Sequence, residues 1–146
     1  MTFGFRVERT TSAPSNRVYD LLADVAAFRE WAPLVRYSEL IRQGTPDPSG
    51  AGAVRRLGVC NAASVDEEIV EARPPHYQRY IGVRGFPVSQ YRGEIHLSQV
   101  ETGTELLWTV TFEQLAPGTG RPIQMIIRGV ITYLVDHAIS AAEHAT

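Results

Sequence analysis

A change of pattern at Pro33 constrains this chain most. Before it, from Thr11 onward, the sequence reads as a strand end and two short helices; after it comes a long run of strands closed by one long helix. Ser12-Ala13-Pro14 ends the opening strand and makes Ser12 the expected N-cap of the first helix. Proline then sits in the first turn, where its missing N–H costs nothing. Val18, Leu21, Leu22 and Val25 recur at three- and four-residue spacing, which is one apolar helix face. Asp24 is placed to cap a second helix over residues 25–30, closing on Trp31-Ala32-Pro33.

Alternation of apolar and polar residues predicts strands over 5–11, 35–43, 53–60, 64–73, 76–83, 88–100 and 104–114. The breaks between them carry turn chemistry: Gly and Pro through residues 44–52, Asn61-Ala62, Pro74-Pro75, residues 84–87, and Glu101-Thr102-Gly103. After a Gly/Pro loop at 116–122, a helix is predicted over 123–143. Ile123, Ile127, Val130, Leu134, Ala138 and Ala141 fall on one of its faces, and Met125, Thr132, Asp136 and Ser140 on the opposite one. This order describes an α+β fold: a seven-stranded curved antiparallel sheet around a long C-terminal helix, with two short helices after the first strand. A long helix across the concave face of such a sheet leaves a space, and a space of that kind is by default a ligand pocket.

A chain of 146 residues builds one core, so a single domain is expected over 1–146. A net charge of −2 gives no electrostatic footprint for nucleic acid. All 14 basic residues are arginine, which suits a GC-rich bacterial coding bias. The one cysteine, Cys60, allows no intrachain disulfide and makes a reducing cytoplasm the expected compartment. The first six residues lack the basic and apolar regions of a signal peptide, and no uninterrupted apolar run approaches the ~20 residues of a membrane span.

Strand parity places side chains in the pocket. Leu106, Trp108, Val110 and Phe112 form the apolar set of the last strand, and Tyr91, Gly93, Ile95 and Leu97 that of the strand before it. Leu57 and Val59 point inward, so Arg55 does too; Val65 and Ile69 point inward, so Glu67 does too. Pairing across Asn61-Ala62 sets Arg55 diagonally opposite Glu67 on the concave face. Either charge alone would be expensive to bury, so the two pair with each other or meet a polar ligand group. Gln78, Tyr80 and Tyr91 are further polar candidates, each either ligand contact or core with a backbone partner. Trp31 and Trp108 are pocket walls or plain core; Phe86, in Gly85-Phe86-Pro87, is a rim or an exposed turn. Ile127, Val130 and Leu134 complete the expected lining from the terminal helix.

Other motifs fall away. Gly50-Ala51-Gly52 lacks a third glycine and precedes a strand, so it is no dinucleotide loop. There is no Gly-x-Ser-x-Gly elbow and no Walker lysine. His76, His96, His137 and His144 lack metal-ligand spacing, and neither metal nor cofactor is expected. Cys60 has no sequence-local base to make it a nucleophile.

The chain resembles the START-like superfamily, also called SRPBCC, and within it the polyketide cyclase/dehydrase-like group. The resemblance rests on residues 12–25 (Ser-Ala-Pro-Ser-Asn-Arg-Val-Tyr-Asp-Leu-Leu-Ala-Asp-Val), Trp31-Ala-Pro33, Gly52-Ala-Val-Arg-Arg56, Pro74-Pro75, Tyr91-Arg-Gly93, and Gly103-Thr104 leading to Trp108. It implies the helix-grip fold. It also implies a cavity-facing glutamate at the position of Glu67, as in the abscisic acid receptors. The superfamily holds lipid carriers, hormone receptors and aromatases, so fold alone does not select the activity. The first expectation is a carrier or sensor for a hydrophobic molecule, aromatic, polyketide or lipid-like, acting as a monomer or homodimer. The alternative is an aromatase/cyclase that folds a poly-β-ketone chain for aldol closure and dehydration. There Arg55 would stabilise an enolate, and Tyr91 or Glu67 would move a proton.

Overall fold

The computed structural model describes residues 1–144; residues 145 and 146 of the expected domain lie outside the described residues. The chain runs β1 (Thr2–Thr11), α1 (Ser15–Ala23), a 3-10 turn (Val25–Ala27) and α2 (Phe28–Trp31). It continues through β2 (Tyr37–Arg42), β3 (Val54–Cys60), β4 (Ala63–Arg73), β5 (Tyr77–Arg84), β6 (Val88–Val100) and β7 (Gly103–Gln114) to α3 (Gly120–His144). The seven strands form one antiparallel sheet in the order β1-β7-β6-β5-β4-β3-β2. Every strand from β2 to β7 lies beside its sequence neighbour, and β1 closes against β7. The two short helices therefore carry the chain from one edge of the curved sheet to the other.

The expected α+β helix-grip architecture is present, with differences at the element ends. β1 starts at Thr2, three residues before the predicted start, because its whole length pairs with β7 from Thr2–Glu113 to Thr11–Thr104. Ser12 does not cap α1: Pro14 occupies the N-cap and no side chain caps there. The free Ser15 N–H instead donates to Gln99 Oε1 of β6 at 2.9 Å, and Ser15 Oγ meets Thr104 Oγ1 of β7 at 3.0 Å. A tertiary partner thus replaces the local cap. Asp24 likewise makes no side-chain cap, and the second helix divides into the 3-10 turn and the four-residue α2.

Strand parity follows the sequence. Tyr91, Gly93, Ile95 and Leu97 of β6 are buried, as are Leu106, Trp108, Val110 and Phe112 of β7. Glycine at 93 has a packing reason: a Cβ there would lie 2.3 Å from the Tyr80 ring. The Tyr80 ring fills that notch and meets Trp108 edge-on at 6.3 Å.

The helix α3 departs most from expectation. Its buried stripe is Ile131, Leu134, Val135, Ala138 and Ala142, confined to the second half beyond Gly120. On the predicted face Val130 is exposed and Ala141 half-buried. The second half is tied down by Arg9 Nε to Asp136 Oδ1 (2.9 Å), Thr11 Oγ1 to Glu143 Oε2 (2.7 Å) and Arg17 Nη1 to the Ala142 carbonyl (3.1 Å). No side chain from 121 to 130 is buried. α3 has 25 residues, and its most apolar 18-residue stretch has a mean hydropathy of 1.3, so it is long and apolar enough to cross a membrane by length and composition. Counting only uninterrupted apolar runs missed this, because Arg121, Arg128 and Asp136 interrupt the helix. Its second half packs on β1 and α1.

Candidate functional site

Between the first half of α3 and the β3–β6 part of the sheet a cavity of about 880 Å³ remains. The β3–β4 hairpin forms one wall, the β5–β6 turn a second, and Phe28, Leu34 and Val35 a third; Ile123, Ile126, Ile127 and Val130 of α3 form the roof. Leu34, Val59, Ile126 and Val130 are more than half exposed, so the apolar lining continues out to the surface and marks the mouth.

Eight of the predicted lining residues border this space: Leu57, Val59, Glu67, Phe86, Tyr91, Ile127, Val130 and Leu134. The other eight do not. Trp31, Ile69, Tyr80, Ile95, Trp108 and Val110 belong to the closed core cluster, and Arg55 and Gln78 are buried beside it. The reason is filling: Tyr80 over Gly93, with Trp108 against it, occupies the volume that parity alone left empty. Trp31 packs on Phe28 with centroids 4.7 Å apart. Among the described residues, neither Trp31 Nε1 nor Gln78 Oε1 has a hydrogen-bond partner. Phe86 is a rim residue. Its ring folds back over Gly82, where a Cβ would meet it at 2.7 Å, and stacks on Tyr91 at 4.2 Å.

Arg55 and Glu67 sit directly opposite each other, not diagonally, because the β3–β4 register shifts between Gly58 and Cys60. Arg55 Nε donates to Glu67 Oε1 at 3.0 Å, and Nη1 donates to the Leu22 carbonyl at 2.9 Å. Leu22 lies in the last turn of α1, where carbonyls lack intrahelical partners. The guanidinium also lies between the Phe28 and Tyr80 rings, 5.7 and 5.4 Å from their centroids. Arg55 thus joins α1 to the sheet from beneath the cavity floor. Glu67 is the member of the pair that borders the cavity. Burial pushes its carboxyl above the ordinary glutamate range, against the opposing pull of Arg55.

Buried polar side chains bordering the space are Ser64, Glu67 and Tyr91. Ser64 Oγ donates to the Asn61 carbonyl at 2.7 Å and accepts from Arg84 Nη2 at 2.7 Å. Arg84 is itself held on the outer face by Asp66, through Nε to Oδ2 at 3.0 Å and Nη2 to Oδ1 at 3.2 Å. Tyr133 accepts the Leu34 N–H at 2.8 Å, which fixes the mouth loop to α3. Behind Tyr91 stands Tyr80, whose oxygen accepts the Trp108 indole N–H at 3.0 Å. Burial first, then the charge of Glu67, pushes the Tyr91 hydroxyl far above its usual range. Cys60 is exposed at the hairpin end. Among the described residues, no group of three His, Cys, Asp or Glu side chains is placed to hold a metal.

Sequence reasoning missed Phe28, Leu34, Val35, Ile126 and Tyr133, which come from helices and loops outside strand parity. The signal for one was present: Met125-Ile126-Ile127 is an apolar triplet, and a helix cannot turn three consecutive residues to one face.

Comparison with known proteins agrees with this geometry. The family model described as polyketide cyclase / dehydrase and lipid transport matches residues 2–141. Among solved structures, Ara h 8.0201 is similar with a TM-score of 0.79 at 13% identity, covering 97% of this chain and 98% of that one. The Zhui aromatase/cyclase from Streptomyces sp. R1128 is similar with a TM-score of 0.76 at 20% identity, covering 98% and 94%. TTHA0849 from Thermus thermophilus is similar with a TM-score of 0.69 at 23% identity, covering 97% and 94%. At these identities the structures establish the fold. No curated protein sequence matches the chain.

Proposed function

The chain belongs to the polyketide cyclase/dehydrase and lipid transport family of the SRPBCC superfamily, whose fold and family support a hydrophobic-ligand-binding domain, and from that premise we propose that it is a carrier or sensor of an aromatic, polyketide or lipid-like molecule held in the cavity under α3. One observation carries this reading: an apolar space of about 880 Å³ with an apolar mouth and few polar groups at its buried end. Enclosing an apolar ligand there gains roughly 25 cal/mol per Å² of its buried surface. The single cysteine suits a reducing cytoplasm as the place of action.

The cyclase alternative needs Arg55 to hold a carbonyl or an enolate, and Tyr91 or Glu67 to move a proton. Arg55 is engaged by Glu67, by the Leu22 carbonyl and by two rings, and it does not border the cavity. Tyr91 is shifted toward keeping its proton, so a base in this site would have to be Glu67. These observations favour binding over catalysis. A thermal-shift screen against fatty acids, sterols, flavonoids and aromatic polyketides tests the reading. A concentration-dependent rise in melting temperature is the expected result. A panel with no effect, together with an altered product profile when the protein is added to a minimal polyketide synthase, would reverse the preference.

A further inference from the structure

The hydrogen-bonding groups at the floor of the cavity have a fixed direction, and that direction specifies what the ligand must offer. An indole N–H only donates, so Tyr80 oxygen is the acceptor in the Trp108 bond. Tyr80 is fully buried and needs an acceptor for its own proton. The hydroxyl beside it is that of Tyr91, with which it interacts. Trp108 donates to Tyr80, and Tyr91 borders the cavity with its hydroxyl proton available to an occupant. Glu67 has the opposite character. Arg55 takes Oε1, and among the described residues no donor meets the other oxygen. That carboxylate oxygen is an acceptor at the buried end of an apolar space. Among the described residues no hydrogen bond joins Glu67 to Tyr91, so neither satisfies the other.

On the basis of the binding reading above, we propose that the cavity selects a ligand whose buried polar group is a hydroxyl, alcohol or phenol, which donates to Glu67 and accepts from Tyr91. A hydroxyl is the small group that does both at one atom. An ether or ketone accepts from Tyr91 and leaves Glu67 without a donor. A carboxylate is worse, since it sets a second negative charge against Glu67 in a water-poor space. Arg55 cannot take the role of counter-ion while Glu67 and Leu22 hold it. Arg84 borders the space, but its guanidinium is turned to Asp66 and Ser64.

The test is calorimetric titration with hydroxyl, methyl ether and carboxylate forms of three skeletons: naphthalene, flavone and dodecane. In the wild-type protein the hydroxyl form is expected to bind tighter than both others by roughly ten- to a hundredfold, the range for one hydrogen bond to a charged group. Glu67→Gln retains a carbonyl oxygen for Arg55 and turns the cavity-facing atom into a donor. Its preference for hydroxyl over methyl ether is expected to fall to within about threefold, as the bond to the charged acceptor is lost. Tyr91→Phe, which leaves the buried ion pair intact, removes the donor and should reduce the same preference, so the proposal survives a failure of the first variant to fold. Equal binding of the three head groups, or tightest binding of the carboxylate, overturns the proposal while leaving the cavity a binding site. Absence of binding by all three skeletons overturns the binding reading itself.

Discussion

Two arginine–carboxylate pairs stand side by side across β3 and β4 and behave in opposite ways. Arg56 and Asp66 face outward, and Nε and Nη2 of the arginine reach Oδ1 and Oδ2 at 2.7 and 3.0 Å. Arg55 and Glu67, one residue along each strand, face inward with a single bond of 3.0 Å. The Asp66 carboxyl is held down to about 2, mainly by the hydrogen bonds from Arg56, with Arg84 adding to them. The Glu67 carboxyl is pushed up, because loss of water outweighs one arginine. The chemistry of the partners is nearly the same. The number of donors and the access of water decide the sign.

The largest effect is expected from Arg55→Met. It leaves Glu67 buried without its cation, frees the Leu22 carbonyl and empties the space between Phe28 and Tyr80. Removing one partner of a buried pair costs about 3–5 kcal/mol, read as a lower denaturation midpoint with an unchanged slope. Arg55→Met combined with Glu67→Leu should recover part of that loss, since a hydrophobic pair of similar volume removes the stranded charge. If the double variant is no more stable than the single one, the desolvation account of the inner pair is wrong.

The outer pair is expected to show itself in acid. Asp66 has a folded value of about 2 against an ordinary 3.8, so the folded state binds this proton more weakly than the unfolded one. Its contribution is complete above the ordinary value, is lost as pH falls toward about 2, and is absent below that. The shift corresponds to about 2 kcal/mol. Glu67 has the reverse sign. Its raised value makes the ionised form costly in the folded state, so its contribution to stability falls as pH rises from the ordinary glutamate value through the raised one. Asp66→Asn should therefore lower stability at neutral pH by about 2 kcal/mol and flatten the limb between the two Asp66 values. Urea titrations across pH would show it. An unchanged acid limb in this variant would mean that another carboxylate carries it.

These two pairs also mark how far the sequence could be read. That Arg55 and Glu67 point inward was legible, because their neighbours at two-residue spacing, Leu57, Val65 and Ile69, are apolar. Their direct opposition was not, because the register depends on an irregularity between Gly58 and Cys60 that alternation does not encode. Nor was the bond from Arg55 to Leu22, which joins residues 33 apart through the fold. The pairing of Arg56 with Asp66 depends on the same register and was not legible either. The order of strands and helices needed only periodicity and turn residues. The extent of the cavity needed the volume of Tyr80 and Trp108, and volume is a tertiary quantity. Half of the expected lining was therefore core.

The smallest effect sharpens the comparison most. Arg84→Gln removes one of the two arginines on Asp66, at a side chain 44% exposed to water. Arg56 keeps both of its bonds to the carboxylate, so the charge is not stranded. The cost should be under about 1 kcal/mol, the range of partly solvated ion pairs. The acid limb should move to higher pH without vanishing, since one of the two cations that hold Asp66 down remains. On the inner face, among the described residues, no second arginine supports Glu67, and little water reaches it. A loss from Arg84→Gln comparable to that from Arg55→Met would break the distinction, because it would mean that the outer network is as dependent on each cation as the buried pair.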